Sequence, residues 1–200
     1  MLATEQMLSY LAKAKVWLVD GTFKLCGKPI KQLFSINAHL QFDSNVIFVP
    51  LSFALMTHRT TKDYVVVLKQ IKRSLPHEPE VEIVMADFEP ALWRAFRIVF
   101  QKIKMRGCGF HWAQAVNCRV GQVGFAILDF TPEICRIIRQ LMTLNILPPE
   151  KIKPMFQAIM DQAAGPLLDL CEYMKKQWID SSIFQTECWY PSLFSPLLCI

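Results

Sequence analysis

Two aspartates in this sequence each close an apolar run that has the length of a buried strand. Asp20 ends the run in "KVWLVDGTF", and Asp87 ends the run in "VEIVMADF". If the two strands are neighbours in one sheet, both carboxylates leave it at the same edge, because adjacent strands lie about 4.8 Å apart. Carboxylates that close repel each other unless a cation lies between them or one takes up a proton. A hard divalent ion such as Mg²⁺ suits the pair, and pairs of such ions serve phosphoryl transfer.

Each aspartate also has a simpler explanation as a turn residue. An Asp directly after a strand commonly accepts hydrogen bonds from backbone N–H groups of the turn that follows. Gly21 comes immediately after Asp20 and is itself a turn residue. For either acid alone, capping of the turn is the commoner role. The pair strengthens the case for a metal site, and the pattern alone leaves both interpretations open.

Local patterns predict the elements that would position these acids. Apolar spacing indicates an N-terminal helix within residues 1–14, followed by a mixed α/β core over 15–127. The segments "KVWLVD", "KQLFSINAHLQF" and "VIFVPLSFALM" are strand-like, and the turn sequence "DSN" separates the last two. We expect these three strands to form an antiparallel meander.

The remainder of the core alternates helices and strands. "TKDYVVVLKQIKRSL" has helical spacing, with Thr60 or Thr61 as its N-cap and Pro76 after its end. The strand that closes on Asp87 comes next, and Pro90 lies in the first turn of an amphipathic helix. "KMRGCGFHWAQAVNCRV" then predicts a fifth strand that runs into a helix.

The pattern changes after residue 128, where helical stretches replace the alternation. The first of three is "TPEICRIIRQLMTLNIL", which Thr131 and Pro132 would start. A further change follows, because the last twenty residues are rich in aromatic side chains and nearly uncharged. We therefore predict a helical region over 128–180 and an atypical hydrophobic tail over 181–200, which would adhere to other surfaces if it were unpacked.

Composition excludes several classes of protein. With 200 residues, of which 52% are hydrophobic, the chain can bury a core and does not have the composition of a disordered polymer. A net charge of +5 is compatible with binding to nucleic acid. Seven cysteines without a pairing pattern, and no secretory signal, predict reduced thiols in an intracellular protein. No uncharged apolar run is long enough for a bilayer, so we expect no membrane association.

Cys108 and His111 have the spacing of half a zinc site. Structural zinc needs four ligands, and the sequence lacks a second pair at suitable spacing. Cys118 is near in sequence, and Cys26 or His39 would have to approach through the fold. We therefore consider zinc unlikely and interpret Cys108 and His111 as packing residues or as residues that support a neighbouring site.

Basic residues supply candidate contacts to DNA. Such side chains can neutralise phosphates without reading a base sequence. An ordinary solvated helix face explains them equally well. The candidates occur in "KQIKRS" and "FQKIKMR" and are Lys69, Lys72, Arg73, Lys102, Lys104 and Arg106.

Four blocks of the sequence, taken in order, resemble one protein family. They are "DGTFK" after a hydrophobic strand, "VPLSFALMTHRTTKDYVVVLKQI", "IVMADFEPALWRAF" and "CGFHWAQAV". This order is similar to the transposase domain of Mutator-like DNA elements, known as the MULE domain. The resemblance covers residues 15–125 closely and the helical remainder loosely.

The resemblance implies a ribonuclease H-like core with a catalytic triad of Asp, Asp and Glu. The two family aspartates correspond to Asp20 and Asp87, which would bind Mg²⁺ or Mn²⁺ and serve in DNA cleavage and strand transfer during transposition. DNA would be the partner, and the nucleus the location. The family also shares the pair that corresponds to Cys108 and His111, next to its fifth strand.

The third acid of the family has no counterpart that we can assign. The family's Glu lies in a block similar to "TNNxxEGWH", which this sequence lacks, so we expect the chain to end before it. Glu172 and Glu187 are the late acids, and neither has the flanking residues of the family. The sequence therefore predicts a transposase-derived protein that is incomplete as an enzyme. The alternatives are a non-catalytic module that binds DNA or protein, and a nuclease in which another acid replaces the missing Glu.

Overall fold

The computed structural model describes residues 1–23, 27–42, 45–123 and 131–189. The chain forms two compact units, residues 1–105 and 106–200. In the first unit the elements are α1 (Glu5–Lys13), β1 (Val16–Phe23), β2 (Gln32–Phe42), β3 (Asn45–Met56), α2 (Thr61–Ser74), β4 (Ile83–Ala86) and α3 (Pro90–Val99), and β5 (Lys104–Gly107) follows at the boundary.

The strands form one five-stranded mixed sheet in the order β3-β2-β1-β4-β5. The pairs β1–β2 and β2–β3 are antiparallel, which confirms the predicted meander. Strand β1 also pairs with β4, in the parallel sense. The prediction of a mixed α/β fold is therefore confirmed.

The strand directions bring three loops to one edge of the sheet. Because β2 is antiparallel to both of its neighbours, β3 runs in the same direction as β1, and β4 does so too. The C-terminal ends of β1, β3 and β4 therefore lie at a common edge. We call this edge, formed by residues 20–23, 57–60 and 87–89, the acid edge.

The helix that leaves the acid edge, α2, begins as its sequence predicts. The Thr60 side chain accepts a hydrogen bond from the backbone N–H of Asp63, whose own carboxylate accepts one from the Thr60 backbone, and this reciprocal capping box satisfies donors of the first turn. The helix ends before Pro76, as expected. The buried residues of α2 are Tyr64, Leu68 and Ile71, and those of α3 are Leu92, Trp93, Ala95 and Phe96.

The second unit is helical where the structure describes it. Its helices are α4 (Gly109–Gln122), α5 (Pro132–Thr143), α6 (Pro149–Met160) and α7 (Pro166–Met174), and a π-helical turn over Lys175–Ile179 continues α7. Thr131 caps α5 as predicted, since its hydroxyl accepts a hydrogen bond from the Ile134 N–H at 3.3 Å. The division into segments 1–14, 15–127, 128–180 and 181–200 remains a prediction.

The first residues of the predicted hydrophobic tail pack into the core of the second unit. Phe184 is 1% exposed and Trp189 is fully buried. The Trp189 ring lies 4.5 Å from that of Trp112 and 6.5 Å from that of Trp178, measured between centroids. Residues 181–189 are therefore a packed part of this unit, and residues 190–200 lie outside the described part of the chain.

The structure provides observations on the cysteines and on helices that could cross a membrane. The cysteines within the described residues are unbridged thiols, namely Cys108, Cys118, Cys135, Cys171 and Cys188. Cys26 and Cys199 lie outside those residues. Among the described helices, none combines the length and the apolar character that crossing a membrane requires.

Candidate active site

Strand register brings Asp20 and Asp87 together at the acid edge. Val19 pairs with Ala86 across the parallel β1–β4 ladder; Asp20 is the next residue of β1, and Asp87 directly follows the last residue of β4. On its other side Asp20 pairs with Ser35 of β2, so it lies within the sheet and not at a free end. The charge of Asp20 acts on Asp87, so the two carboxylates lie near each other at the acid edge.

The environment of Asp87 disfavours its charged form. Burial, the charge of Glu89 and the charge of Asp20 together raise the pKa of Asp87 to about 7, while Arg59 opposes them. The Asp87 backbone is held in place, because its carbonyl accepts a 2.7 Å hydrogen bond from the indole N–H of Trp93. A cation beside such a fixed, partly buried carboxylate would stabilise its charged form.

Glu89 is a third carboxylate at the acid edge, and the sequence analysis missed it. Its Oε2 accepts a 2.9 Å hydrogen bond from the Tyr64 hydroxyl. The Tyr64 oxygen in turn accepts a 2.8 Å bond from Nε2 of Gln32, which is 2% exposed. Burial raises the pKa of Tyr64, so this hydroxyl remains a donor. The single hydroxyl proton therefore goes to Glu89, and this fixes the orientation of the Gln32 amide.

One local signal could have identified Glu89. It occupies the N-cap of α3, directly before Pro90, and makes no capping hydrogen bond with its side chain. Glu is not among the residues that favour this position. The presence of Glu at this position, two residues after Asp87, indicates that its side chain has a role other than capping the helix.

Arg59 brings a positive charge to the acid edge. Its Nε lies 3.9 Å from Oε1 of Glu89, and the carbon of its guanidinium lies 4.6 Å from the centroid of the Phe23 ring. Both side chains remain accessible, since the Arg59 side chain is 45% exposed and Phe23 is 42% exposed. The loop after β3 thus contributes a cation that sequence reasoning did not identify.

Gly21 gives a first testable prediction. A Cβ at this position would lie 2.8 Å from Oε1 of Gln32. The Nε2 atom of the same amide donates a hydrogen bond to the Tyr64 hydroxyl oxygen, which limits how far the amide can move. Gly21→Ala should lower the free energy of unfolding by about 1–3 kcal/mol, because the buried amide must move. Urea unfolding measures the change. Gly27→Ala is the control, since nothing lies within 4 Å of a Cβ there, and an equal loss in both variants would contradict the explanation.

Sequence comparison identifies the family. The model of the MULE transposase domain matches residues 16–115, half of the chain. The chain belongs to the MULE transposase domain family. The matched range contains β1 to β5 and both aspartates of the acid edge. No curated protein matches the chain.

The two aspartates of this MULE domain fit a hard divalent cation. Over the described ranges of the chain, no group of three or more His, Cys, Asp and Glu side chains is arranged to hold a metal ion. Mg²⁺ commonly takes only one or two protein carboxylates and completes its coordination with water and substrate phosphate. Asp20 and Asp87 supply that number, and a cation would offset the burial and the neighbouring negative charges that raise the pKa of Asp87.

Cys108 and His111 lie in the second unit of the MULE domain chain. Cys108 is the N-cap residue of α4, and its side chain makes no capping hydrogen bond. His111 lies one turn later, with its ring 5.4 Å from that of Phe110, in an edge-to-face arrangement. Their predicted role in supporting the acid site remains a prediction.

The predicted basic residues of the first unit lie away from the acid edge. Lys69, Lys72 and Arg73 are in the second half of α2, and Lys72 forms a 2.6 Å ion pair with Glu78. The backbone N–H of Lys104 donates to the carbonyl of Glu82, which precedes β4 at the end opposite Asp87. In the second unit, Arg106 donates a 2.6 Å hydrogen bond through Nη1 to the backbone carbonyl of Glu187. The other late acid, Glu172, is an exposed residue of α7.

Proposed function

We propose that this chain is a transposase-derived core in which Asp20 and Asp87 hold Mg²⁺ or Mn²⁺ and act on the phosphodiester backbone of DNA. The observation that supports this function best is the parallel register of Val19 with Ala86, since Asp20 and Asp87 are the residues that directly follow this pair. Membership of the MULE family supports the same substrate class.

The fold supports a ribonuclease H-like assignment as part of this proposal. A three-strand antiparallel meander is followed by a strand that pairs in parallel with β1, and the acids lie in the C-terminal half of β1 and directly after β4. Ligands of sheets with parallel strands bind beyond the carboxyl ends of those strands. The acid edge is that location here.

The protein groups have separate roles in this proposal. Asp20 and Asp87 would hold the cation, and when bound it would supply polarisation of the phosphate oxygens. The chain of hydrogen bonds from Gln32 through Tyr64 to Glu89 fixes the loop that contains Asp87. Glu89 acts as a positioning residue, because Tyr64 already binds one of its oxygens.

Full transposition needs more than these two acids, and a non-catalytic binding module is the second candidate. A net charge of +5 suits binding to the nucleic-acid backbone without cleavage and supports this alternative. In that case the fold would bind DNA, with nuclear residence, and without cleaving it. A nuclease in which another acid replaces the missing Glu is a third version of the same proposal.

A thermal-melt titration with Mn²⁺ tests the paired-acid site. A ligand that binds only the folded state stabilises it by about 2.7 kcal/mol at a hundred times its Kd. We expect Mn²⁺ to raise the melting temperature of the natural chain and not that of Asp20→Ala or Asp87→Ala. Asp169→Ala, on the exposed surface of α7, is the matched control and should respond like the natural chain.

The same titration can reject the proposal. An equal rise in melting temperature for all four proteins would mean that Mn²⁺ binds elsewhere. No rise in any of them would mean that the acid edge holds no cation. If the site is present, DNA cleavage that requires Mn²⁺ and both aspartates distinguishes an enzyme from a binding module.

A further inference from the structure

A nucleic acid that approaches the acid edge meets three carboxylates, which repel its phosphates. Asp87 lies close enough to both Glu89 and Asp20 for their negative charges to interact with its own. A cation bound between Asp20 and Asp87 offsets part of this charge, but the phosphates on either side of the reacting one still face an acidic surface. A fixed positive group next to the acids therefore offsets this repulsion and favours productive binding.

Two contacts of different kinds hold Arg59 next to the acids. Its guanidinium lies over the Phe23 ring at 4.6 Å, within the range of a cation–π interaction. The carboxylate of Glu89 attracts it from the side, but at 3.9 Å the contact is too long for a hydrogen bond. The planar group is thus held in orientation while its N–H donors remain available to a further acceptor.

The contact with Glu89 is too weak to be the purpose of Arg59. Ion pairs with an exposed partner contribute about 0–1 kcal/mol, and the Arg59 side chain is 45% exposed. A guanidinium with available donors matches the geometry of a phosphate, which accepts two parallel N–H bonds. The exposed face of the acid edge offers such a group beside the two aspartates.

We propose that Arg59, held over Phe23, binds a backbone phosphate of DNA next to the position served by Asp20 and Asp87. This inference rests on the proposed function and extends it by naming the residue that receives the substrate. Phe23 orients the guanidinium, and Glu89 keeps it near the acids. Arg59 contacts the backbone and reads no base sequence.

The fold supplies a control that loses the same charge elsewhere. Lys13 is exposed at the C-terminal end of α1, just before β1 begins, whereas Phe23 and the Arg59 guanidinium over it lie at the other end of β1. A strand rises about 3.3 Å per residue, so the two ends of β1 are separated by roughly 20 Å. Long-range attraction between the protein and DNA changes by one charge in either variant, but only one variant removes the proposed contact.

The experiment is a fluorescence anisotropy titration of a labelled DNA duplex at several salt concentrations, with EDTA and then with Mn²⁺. Arg59→Gln should weaken binding about five- to tenfold and reduce the slope of log K against log salt by about 0.9. Lys13→Gln should change the affinity less than about twofold. Arg59→Lys, which keeps the charge but lacks the planar fork, should lie between Arg59→Gln and the natural chain.

Equal effects of Arg59→Gln and Lys13→Gln would overturn the inference, because binding would then depend on net charge alone. Should Arg59→Gln fail to fold, Phe23→Leu tests the same contact with all charges retained, and an unchanged DNA affinity would overturn it too. The Mn²⁺ melt of the aspartate variants is independent of this result. If that melt fails while Arg59→Gln still weakens DNA binding selectively, the metal proposal falls and the phosphate contact stands.

Discussion

Replacing Asp87 by asparagine should stabilise the metal-free protein above pH 7 by about 2–4 kcal/mol. Burial and then the charges of Glu89 and Asp20 raise the pKa of Asp87 from 3.8 to about 7. A group whose pKa is raised on folding contributes stability that is fully present below the unfolded value and is lost as pH rises through the folded value. The natural chain should therefore lose stability between about pH 4 and pH 7, and Asp87→Asn should not.

Urea unfolding in EDTA, at pH values from about 3 to 8.5, measures this difference between the two proteins. Asp63→Asn is a control of opposite sign. The hydrogen bonds from Thr60 hold the pKa of Asp63 below its usual value, so its contribution is present at neutral pH and is lost in acid. Parallel stability curves for Asp87→Asn and the natural chain would show that Asp87 ionises normally and that the acid edge is less crowded than its geometry indicates.

The elements of the first unit were predictable because their signals are local. Thr60 and Asp63 form a capping box within one helical turn, and Pro90 starts α3 at the position where a missing N–H costs nothing. Strand-length apolar runs located β1 and β4. The acids were identifiable for the same reason, since each is adjacent to the run that it closes.

The hydrogen-bonded surroundings of the acids were not predictable from such signals. Tyr64 has the spacing of a core residue in a helix, and its hydroxyl binds Glu89, which is 25 positions later. Gln32 is a polar residue at the start of a strand, and its partner Tyr64 is 32 positions away. Only the pairing of β1 with both β2 and β4 determines which loops share an edge. Periodicity along the chain contains no information about that register.

Charge patterns in the sequence favour a part of the first unit that lies away from the acid edge. Lysines and arginines clustered in the letters "KQIKRS" attract attention, but Lys69 and Arg73 lie towards the end of α2 that is away from the acid edge. Arg59 is a single basic residue between His58 and Thr60 and has no cluster around it. Its significance comes from the Phe23 ring beneath it, which is 36 residues earlier in the chain.

Truncating Trp189 to alanine should destabilise the second unit by about 3–5 kcal/mol, which is the usual cost for a fully buried Trp. Trp189 is 0% exposed, and its ring packs against Trp112 on α4 with 4.5 Å between centroids. Its indole N–H donates to the carbonyl of Phe184 at 2.9 Å, so the substitution also removes a buried hydrogen bond. Hydrogen exchange of peptides from α4 and α7, followed by mass spectrometry, measures the loss within this unit.

The control is Phe110→Ala, which removes an aromatic ring from the same unit at a position that is 55% exposed. We expect that variant to remain within about 0.5 kcal/mol of the natural chain. If Trp189→Ala were equally mild, residues 181–189 would be an appendage, and the core formed by Trp112 and Trp178 would be stable without them. A large loss of stability confined to Trp189→Ala would mean that the helical unit needs the aromatic residues after position 180 for its stability. The hydrophobic character of this segment then follows from its burial, because a segment that closes a core needs apolar side chains and not charge.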